Sequence, residues 1–258
     1  MPTPPSGPPR PVVWFLPARD EEATIATVLA RAPGRVAGHP VVPVVVDDGS
    51  RDATARAAAA AGATVIRTGA RGLGAAVRTG LATAVAHDPV AVAFCDADGE
   101  YAPEDLDALV TPIVRGEADY VVGSRFLGAI DRMHPHRRLG NRVLTRALAR
   151  LTGVPITDGQ SGFRALSPAA AAAAEIAHDY NYAQVLTVEL LRKGFRYHEV
   201  PISYSFRRHG RSFVRLGPYL RHVVPAVHRE LRRARAAQSS TTCAANAARA
   251  RDHAAAST

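Results

Sequence analysis

Short, continuously apolar runs rich in β-branched residues punctuate the first half of the chain: VVWFL at 12–16, VVPVVV at 41–46, TVI at 64–66, VAVAFC at 90–95 and YVV at 120–122. Runs of this length without polar alternation read as strands buried on both faces of a parallel sheet. Pro43 counts against a central place for the second, because proline cannot donate to a ladder. Between the runs, 22–31, 52–61, 73–86 and 104–115 read as helices, the second closed by Gly62 and the fourth opened by Pro103. This alternation over roughly the first 125 residues predicts an α/β fold, a Rossmann-like, mostly parallel sheet flanked by helices. The second half is less regular. It predicts helices near 138–151, 168–177 and 182–193, strands near 161–166 and 196–204, and a last helix from about 216 to 235. No internal repeat is visible. The organisation expected is a disordered Pro-rich start at 1–10, a main domain at 11–215, an amphipathic basic helix at 216–236 and a low-complexity, disordered tail at 237–258.

Composition narrows the classes. With 258 residues and 47% hydrophobic content the chain can build one large α/β domain or two small ones. The start, MPTPPSGPPR, lacks the basic and apolar regions of a signal peptide, and no window reaches 18 strongly apolar residues, so a cytoplasmic protein is expected. Two cysteines, Cys95 and Cys243, are too few for a disulfide framework and match no metal-ligand spacing. The ten histidines show no ligand spacing either. A net charge of +9 points to a polyanionic partner: nucleic acid, a phosphorylated ligand or an anionic membrane.

In an open parallel sheet, ligands bind beyond the carboxyl ends of the strands. That is where the charged residues gather: strand one ends in PARDEE, strand two in DDGSRD, strand four in DADGE and strand five in GSRF. Dinucleotide binding is disfavoured, because strand one runs into acids where a Gly-rich phosphate turn is required and GARGLGAAVRTG has the wrong glycine spacing. In DADGE, Asp96, Asp98 and Glu100 stand at i, i+2 and i+4, which face one side of an extended segment. Three carboxylates so placed repel unless a hard cation such as Mg2+ or Mn2+ sits between them, typically sharing one or two carboxylates with substrate phosphates. A solvated acidic turn before a helix is the bland alternative. Asp47 and Asp48 at the second strand end suit either capping of the next helix or hydrogen bonds from a ribose or base.

These segments carry a resemblance. PARDEE, VVVDDGSRDAT, RGLGAAVRTGL, FCDADGEYAPEDL, GSRF, DGQSGFRA and EVPISYSFRRHGRS follow one another as in family 2 glycosyltransferases of the GT-A fold, over about residues 12–215. Within that family the chain resembles the dolichyl- and polyprenyl-phosphate mannose and glucose synthases. The resemblance implies a hexosyltransferase acting on a nucleotide sugar, GDP-mannose or UDP-glucose, with a polyprenyl phosphate acceptor and inversion at the anomeric carbon. It implies donor-binding roles for Pro17, Arg19, Glu21, Val46, Asp48 and Ala97, metal binding by Asp96 and Asp98, and a phosphate contact by Arg125. Glu100 occupies a position that is Gln or Ser in relatives. Arg207 matches an arginine of a late loop that closes on the donor, and Phe213 stands where relatives have a lysine, with Arg211 or Arg215 as replacements.

The remaining basic residues fit the same expectation. Arg137, Arg138 and Arg142 suit a second phosphate or a solvated helix start, and Asp158, Gln160 and Arg164 either reach the ligand or hold their loop. In 213–235, Leu216, Leu220, Val223, Val224, Val227 and Leu231 form an apolar stripe beside arginines, the pattern of a helix lying on an anionic membrane surface or closing a core. A soluble family relative with a small-molecule, glycan or protein acceptor is the alternative. A nucleic-acid-binding module has only the charge in its favour, without a helix-turn-helix, zinc or interleaved aromatic pattern.

Overall fold

A computed structural model describes residues 9–205 except 132, 134, 177, 178, 180 and 181. Arg207, Phe213, the 216–236 helix and the segments 1–8 and 237–258 lie outside the described residues.

The apolar runs become strands β1 (Val12–Ala18), β3 (His39–Asp47), β4 (Thr64–Arg67), β5 (Ala91–Phe94) and β6 (Tyr120–Ser124). Two further strands, β7 (Arg164–Leu166) and β8 (Tyr197–Pro201), and a two-residue β2 (Arg35–Val36) complete an eight-stranded sheet of order β2-β3-β1-β5-β7-β6-β8, with β4 on β3. The helices are α1 (Ile25–Arg31), α2 (Thr54–Ala60), α3 (Leu73–Ala86), α4 (Leu106–Val114), α5 (Pro135–Thr152), α6 (Pro168–Ala173) and α7 (Ala183–Arg192).

All seven residues of β1 are buried because helices cover both faces of the sheet. Val12, Trp14 and Leu16 pack with Ile25 and Val28 of α1 and Leu106 and Leu109 of α4. Val13 and Phe15 pack on the other face with Val77 and Leu81 of α3 and Leu186 of α7. Alternate residues thus enter two different apolar layers, which is why the sequence shows no alternation. Helix α3 approaches β1 closely enough that a Cβ on Gly80 would lie 2.3 Å from the Phe15 ring.

Pro43 sits well inside the sheet without costing a ladder bond. Val41 donates its N–H to Gly34 on the β2 side of β3. Pro43, two residues on, faces that same edge, between the end of β2 pairing at Pro40 and the start of β4 pairing at Val44. The hairpin joining β2 and β3, not expected from the sequence, turns on Ala37 and Gly38 at φ 47° and 84°, the left-handed pair of a two-residue loop.

The reversal of one strand positions the site. β7 runs antiparallel to both β5 and β6, so those two share a direction and the chain enters β7 at the edge where they leave. The loop 158–163 is thereby delivered beside the carboxyl ends of β5 and β6. Among the described residues no helix is long and apolar enough to cross a membrane.

Candidate active site

The loops after β1 and β3 lock together. Asp20 and Glu21 donate their N–H groups to Ser50 Oγ (3.0 Å) and Thr54 Oγ1 (2.8 Å). In return Arg51 donates its N–H to Asp20 Oδ1 (2.8 Å) and Ala53 to Glu22 Oε2 (2.8 Å). Pro17 and Val46 are buried register partners in the adjoining strands, and Arg19 and Glu21 lie half-buried just beyond them. Neither Asp47 nor Asp48 caps α2, whose N-cap is Ala53 with no side-chain bond. Asp47 accepts from Ser50 N–H and Arg67 Nε (2.9 and 3.2 Å). The buried Asp48 accepts from Thr68 Oγ1 and Arg71 N–H at Oδ1 (both 2.8 Å) and from Gly72 N–H at Oδ2 (2.7 Å), fixing the start of α3.

The DADGE segment departs from the extended geometry its spacing suggested. β5 ends at Phe94 and the chain turns at Ala97–Asp98, with Gly99 at φ 76°. The rule that i, i+2 and i+4 share a side holds only for extended backbone. Asp98 Oδ1 accepts the Glu100 N–H (3.1 Å) across the turn, and Glu100 Oε2 accepts the Tyr204 hydroxyl proton (2.7 Å). Among the described residues no group of three His, Cys, Asp or Glu is arranged so as to hold a metal.

Asp96 and Asp98 remain together on the turn, both half-buried. The turn is clamped on two sides. Thr24, from the β1 loop, donates its hydroxyl to Ala97 O (2.9 Å). On the far side Gly162 presents its Cα so closely to Asp96 that a Cβ there would lie 2.6 Å from Oδ2. Gly162 is itself pinned, its N–H donating to the Tyr101 oxygen (2.7 Å) and its carbonyl accepting from Tyr182 (3.4 Å). Burial, then the Asp96 charge, pushes the Tyr182 phenol far up; burial also raises Tyr101 well above its usual value against the opposing pull of Arg125. Both stay neutral. Two carboxylate oxygens at the end of a sheet strand form a donor set suited to a hard divalent ion whose other ligands come from a diphosphate.

Arg125, directly after β6, is buried and forked onto Asp158, which is fully buried: Nε to Oδ2 at 2.6 Å and Nη2 to Oδ1 at 2.8 Å, with the Arg125 N–H also on Oδ2 at 3.1 Å. Its guanidinium lies 5.1 Å over the Tyr204 ring. A phosphate contact by Arg125 must therefore use Nη1 or the second Nη2 hydrogen, or displace Asp158. The backbone N–H groups of Thr157 and Asp158 rest on Glu199 of β8 (2.9 and 3.0 Å), and Gly159 donates to Thr145 Oγ1 of α5 (3.1 Å). Arg164 is fully buried and donates to Ser161 O (2.9 Å), Ala183 O (2.8 Å) and Tyr120. Of the two readings left open for Asp158 and Arg164, these bonds select the holding of the loop. A cleft of about 310 Å³ opens beside the turn, lined among others by Glu100, Tyr101, Ile130, Asp131 and Tyr204.

Sequence reading missed Thr24, Tyr101, Tyr182 and Tyr204. Two signals were present: Tyr101 follows DADGE directly, and Tyr204 lies inside EVPISYSF. What was invisible is that the Tyr204 hydroxyl finds its partner 104 residues away.

The chain is similar to known proteins. The chain is 33% identical over 180 residues to a polyprenol monophosphomannose synthase of Mycolicibacterium smegmatis, covering 65% of this chain and 68% of that protein. It is 32% identical over 215 residues to the glycosyltransferase AglJ of Haloferax volcanii, covering 81% of this chain and 66% of the other. In three dimensions it matches a glucosyl-3-phosphoglycerate synthase from Mycobacterium tuberculosis, solved with Mn2+, UDP and glucosyl-3-phosphoglycerate, with a TM-score of 0.68, 26% identity, and coverage of 86% of this chain and 80% of that one. The architecture is the GT-A fold of such enzymes. A model of glycosyl transferase family 2 matches residues 14–172, well over half the chain, and the protein therefore belongs to that family of glycosyltransferases.

Proposed function

We propose that this family 2 enzyme is a metal-dependent, inverting hexosyltransferase that moves mannose or glucose from GDP-mannose or UDP-glucose to a polyprenyl phosphate. The observation that carries the reading is the Asp96–Ala97–Asp98 turn, clamped between Thr24 and Gly162 at the carboxyl end of β5, in a chain related to a polyprenol monophosphomannose synthase.

Pro17, Arg19, Glu21, Val46 and Asp48 line the nucleoside side, and Ala97 adjoins the sugar. Asp96 and Asp98 would hold Mg2+ or Mn2+, which when bound neutralises charge on the departing nucleoside diphosphate. Asp158 fixes Arg125 next to Tyr204, so its positive charge is preorganised at the end of β6 and no reorganisation is needed as negative charge develops. Arg207 supports the donor from the late loop. The acceptor oxygen attacks the anomeric carbon from the face opposite the leaving group. A phosphate monoester is largely dianionic at neutral pH, its second pKa being about 6, so no strong general base is required. The basic 216–236 segment brings the enzyme to the anionic membrane that holds such an acceptor.

A donor and acceptor screen tests the reading: transfer from each nucleotide sugar to polyprenyl phosphate, with and without chelator, for the wild type and for Asp96→Asn and Asp98→Asn. Each substitution is expected to lower turnover about a hundredfold or more, removal of one metal ligand weakening several kcal/mol of charge stabilisation. Full activity in excess chelator refutes it. A second reading, a small phosphorylated acceptor, is favoured by the likeness to the glucosyl-3-phosphoglycerate synthase, and 3-phosphoglycerate in the same screen separates the two.

A further inference from the structure

Helix α5 carries two adjacent rows of exposed residues that its packing leaves unused. Arg138, Arg142, Arg146 and Arg150 follow one another at i, i+4 spacing, and Leu139, Val143, Ala147 and Leu151 do the same one residue on; all eight are exposed. Residues four apart stack on one face of a helix. The apolar row is not marginal: Leu139, Val143 and Leu151 are 66%, 57% and 50% exposed. The opposite face is the one the fold consumes, with Thr145 and Leu148 buried and Leu148 packed on Ile156 and Val188. The helix adjoins the site: Thr145, on its buried face, holds the loop of Asp158 and Gly162 through Gly159, and on its exposed side Arg142 lies over the Phe126 ring at 5.8 Å, next in sequence to Arg125 and to Leu127, which is 51% exposed.

We infer that this face of α5 is a docking surface for an anionic membrane, the Leu139–Val143–Ala147–Leu151 row entering the headgroup boundary and the arginine row engaging lipid phosphates. A contiguous exposed apolar patch marks an interaction site, and an apolar stripe flanked by arginines is the arrangement of helices that lie in a membrane interface. A second copy of the chain is a poor occupant, because α5 contains no Asp or Glu and a symmetric pairing would set arginine rows against each other. Lipid phosphates supply the complementary charge. The surface is read from its own residues, apart from the segment 216–236, and does not depend on the identity of the acceptor.

Flotation of the full chain with phosphatidylglycerol-containing vesicles, against phosphatidylcholine vesicles, tests it. Each arginine near an anionic surface is worth about a fivefold factor in affinity, so Arg146→Glu with Arg150→Glu should weaken binding by about 30-fold or more, while Arg146→Lys with Arg150→Lys retains it. Val143→Trp supplies a local readout: its fluorescence should shift to the blue on anionic vesicles only. Binding by the Glu variant equal to wild type, or a Val143→Trp signal that vesicles leave unchanged, overturns the proposal. Transfer to a short-chain polyprenyl phosphate in detergent should survive in the Glu variant. Wild-type vesicle binding with no transfer to any polyprenyl phosphate would support docking and remove the lipid-acceptor reading.

Discussion

Replacing Gly162 by alanine probes the clamp on the carboxylate turn proposed to hold the metal. Gly162 is not among the residues with positive φ, so alanine fits its backbone and the effect is purely one of space. The added Cβ would stand 2.6 Å from Asp96 Oδ2 and 3.2 Å from the Tyr101 oxygen, where ordinary contact begins at 3.4 Å. The atom that can yield is the end of the Asp96 side chain, which must retreat by about 0.8 Å. Overpacking of this kind costs about 1–3 kcal/mol in stability. The functional cost is larger, because a misplacement of about 1 Å in a catalytic group lowers the rate about a hundredfold. Initial rates at varied Mn2+ concentration and a thermal melt separate the two effects: a fall in turnover of roughly two decades with a raised metal requirement, in a protein that still folds. A Gly162→Ala enzyme with wild-type turnover and metal dependence would refute the idea that the close approach of Gly162 sets the position of Asp96.

Asp158→Ala leaves Arg125 charged and buried without its fork, and should cost about 3–5 kcal/mol in urea unfolding; a loss below about 1 kcal/mol would mean the pair is nearly neutral to the fold. Asp48→Asn puts an amide N–H2 where either the Gly72 N–H or the Arg71 N–H and the Thr68 hydroxyl now donate, so a loss of about 1–3 kcal/mol and a raised donor KM are expected by calorimetry and kinetics. Hydrogen bonds from Arg196 hold the Asp119 carboxyl below its usual 3.8, so its stabilisation is complete above that pH and is lost as pH falls through the lower folded value. Asp119→Asn should therefore flatten the acid limb of stability against pH and leave the alkaline limb unchanged.

The fold was legible where one segment's own pattern decides it. The runs at 12–16 and 120–122 are apolar at every position because helices cover both faces of the sheet, and the helix expected at 73–86 is found with those bounds. The helix expected from 22 starts only at Ile25, because Glu21 and Glu22 are engaged in the interlocked loops. Failures arise where a distant partner decides. The direction of β7 depends on β5 and β6, not on its own three residues. Asp158 and Arg164 have spacings that suit a ligand as well as a loop, and only burial against Arg125, Tyr120 and Ala183 separates the alternatives. The extended backbone expected at 96–100 gives way to a turn for a local reason that the sequence does contain: a D-G pair at 98–99 is a turn signal and outweighs the alternation argument.

The reversed β7 also orders events in time. The ties among the β1 loop, the β3 loop and the carboxylate turn lie early in the chain, since Thr24 reaches Ala97 and the β1 and β3 loops interlock within the first hundred residues. Tyr101 waits for Gly162, 61 residues later, which at ribosomal speeds of about 5–20 residues per second is a delay of about 3–12 s. Through that interval the outer edge of β5 has no neighbour, and an unpaired strand edge is a template for pairing with other chains. Arrival of the three-residue β7 closes that edge and brings Gly162 against Asp96, so the same short segment that shields the emerging chain from self-association also begins to fix the carboxylate turn.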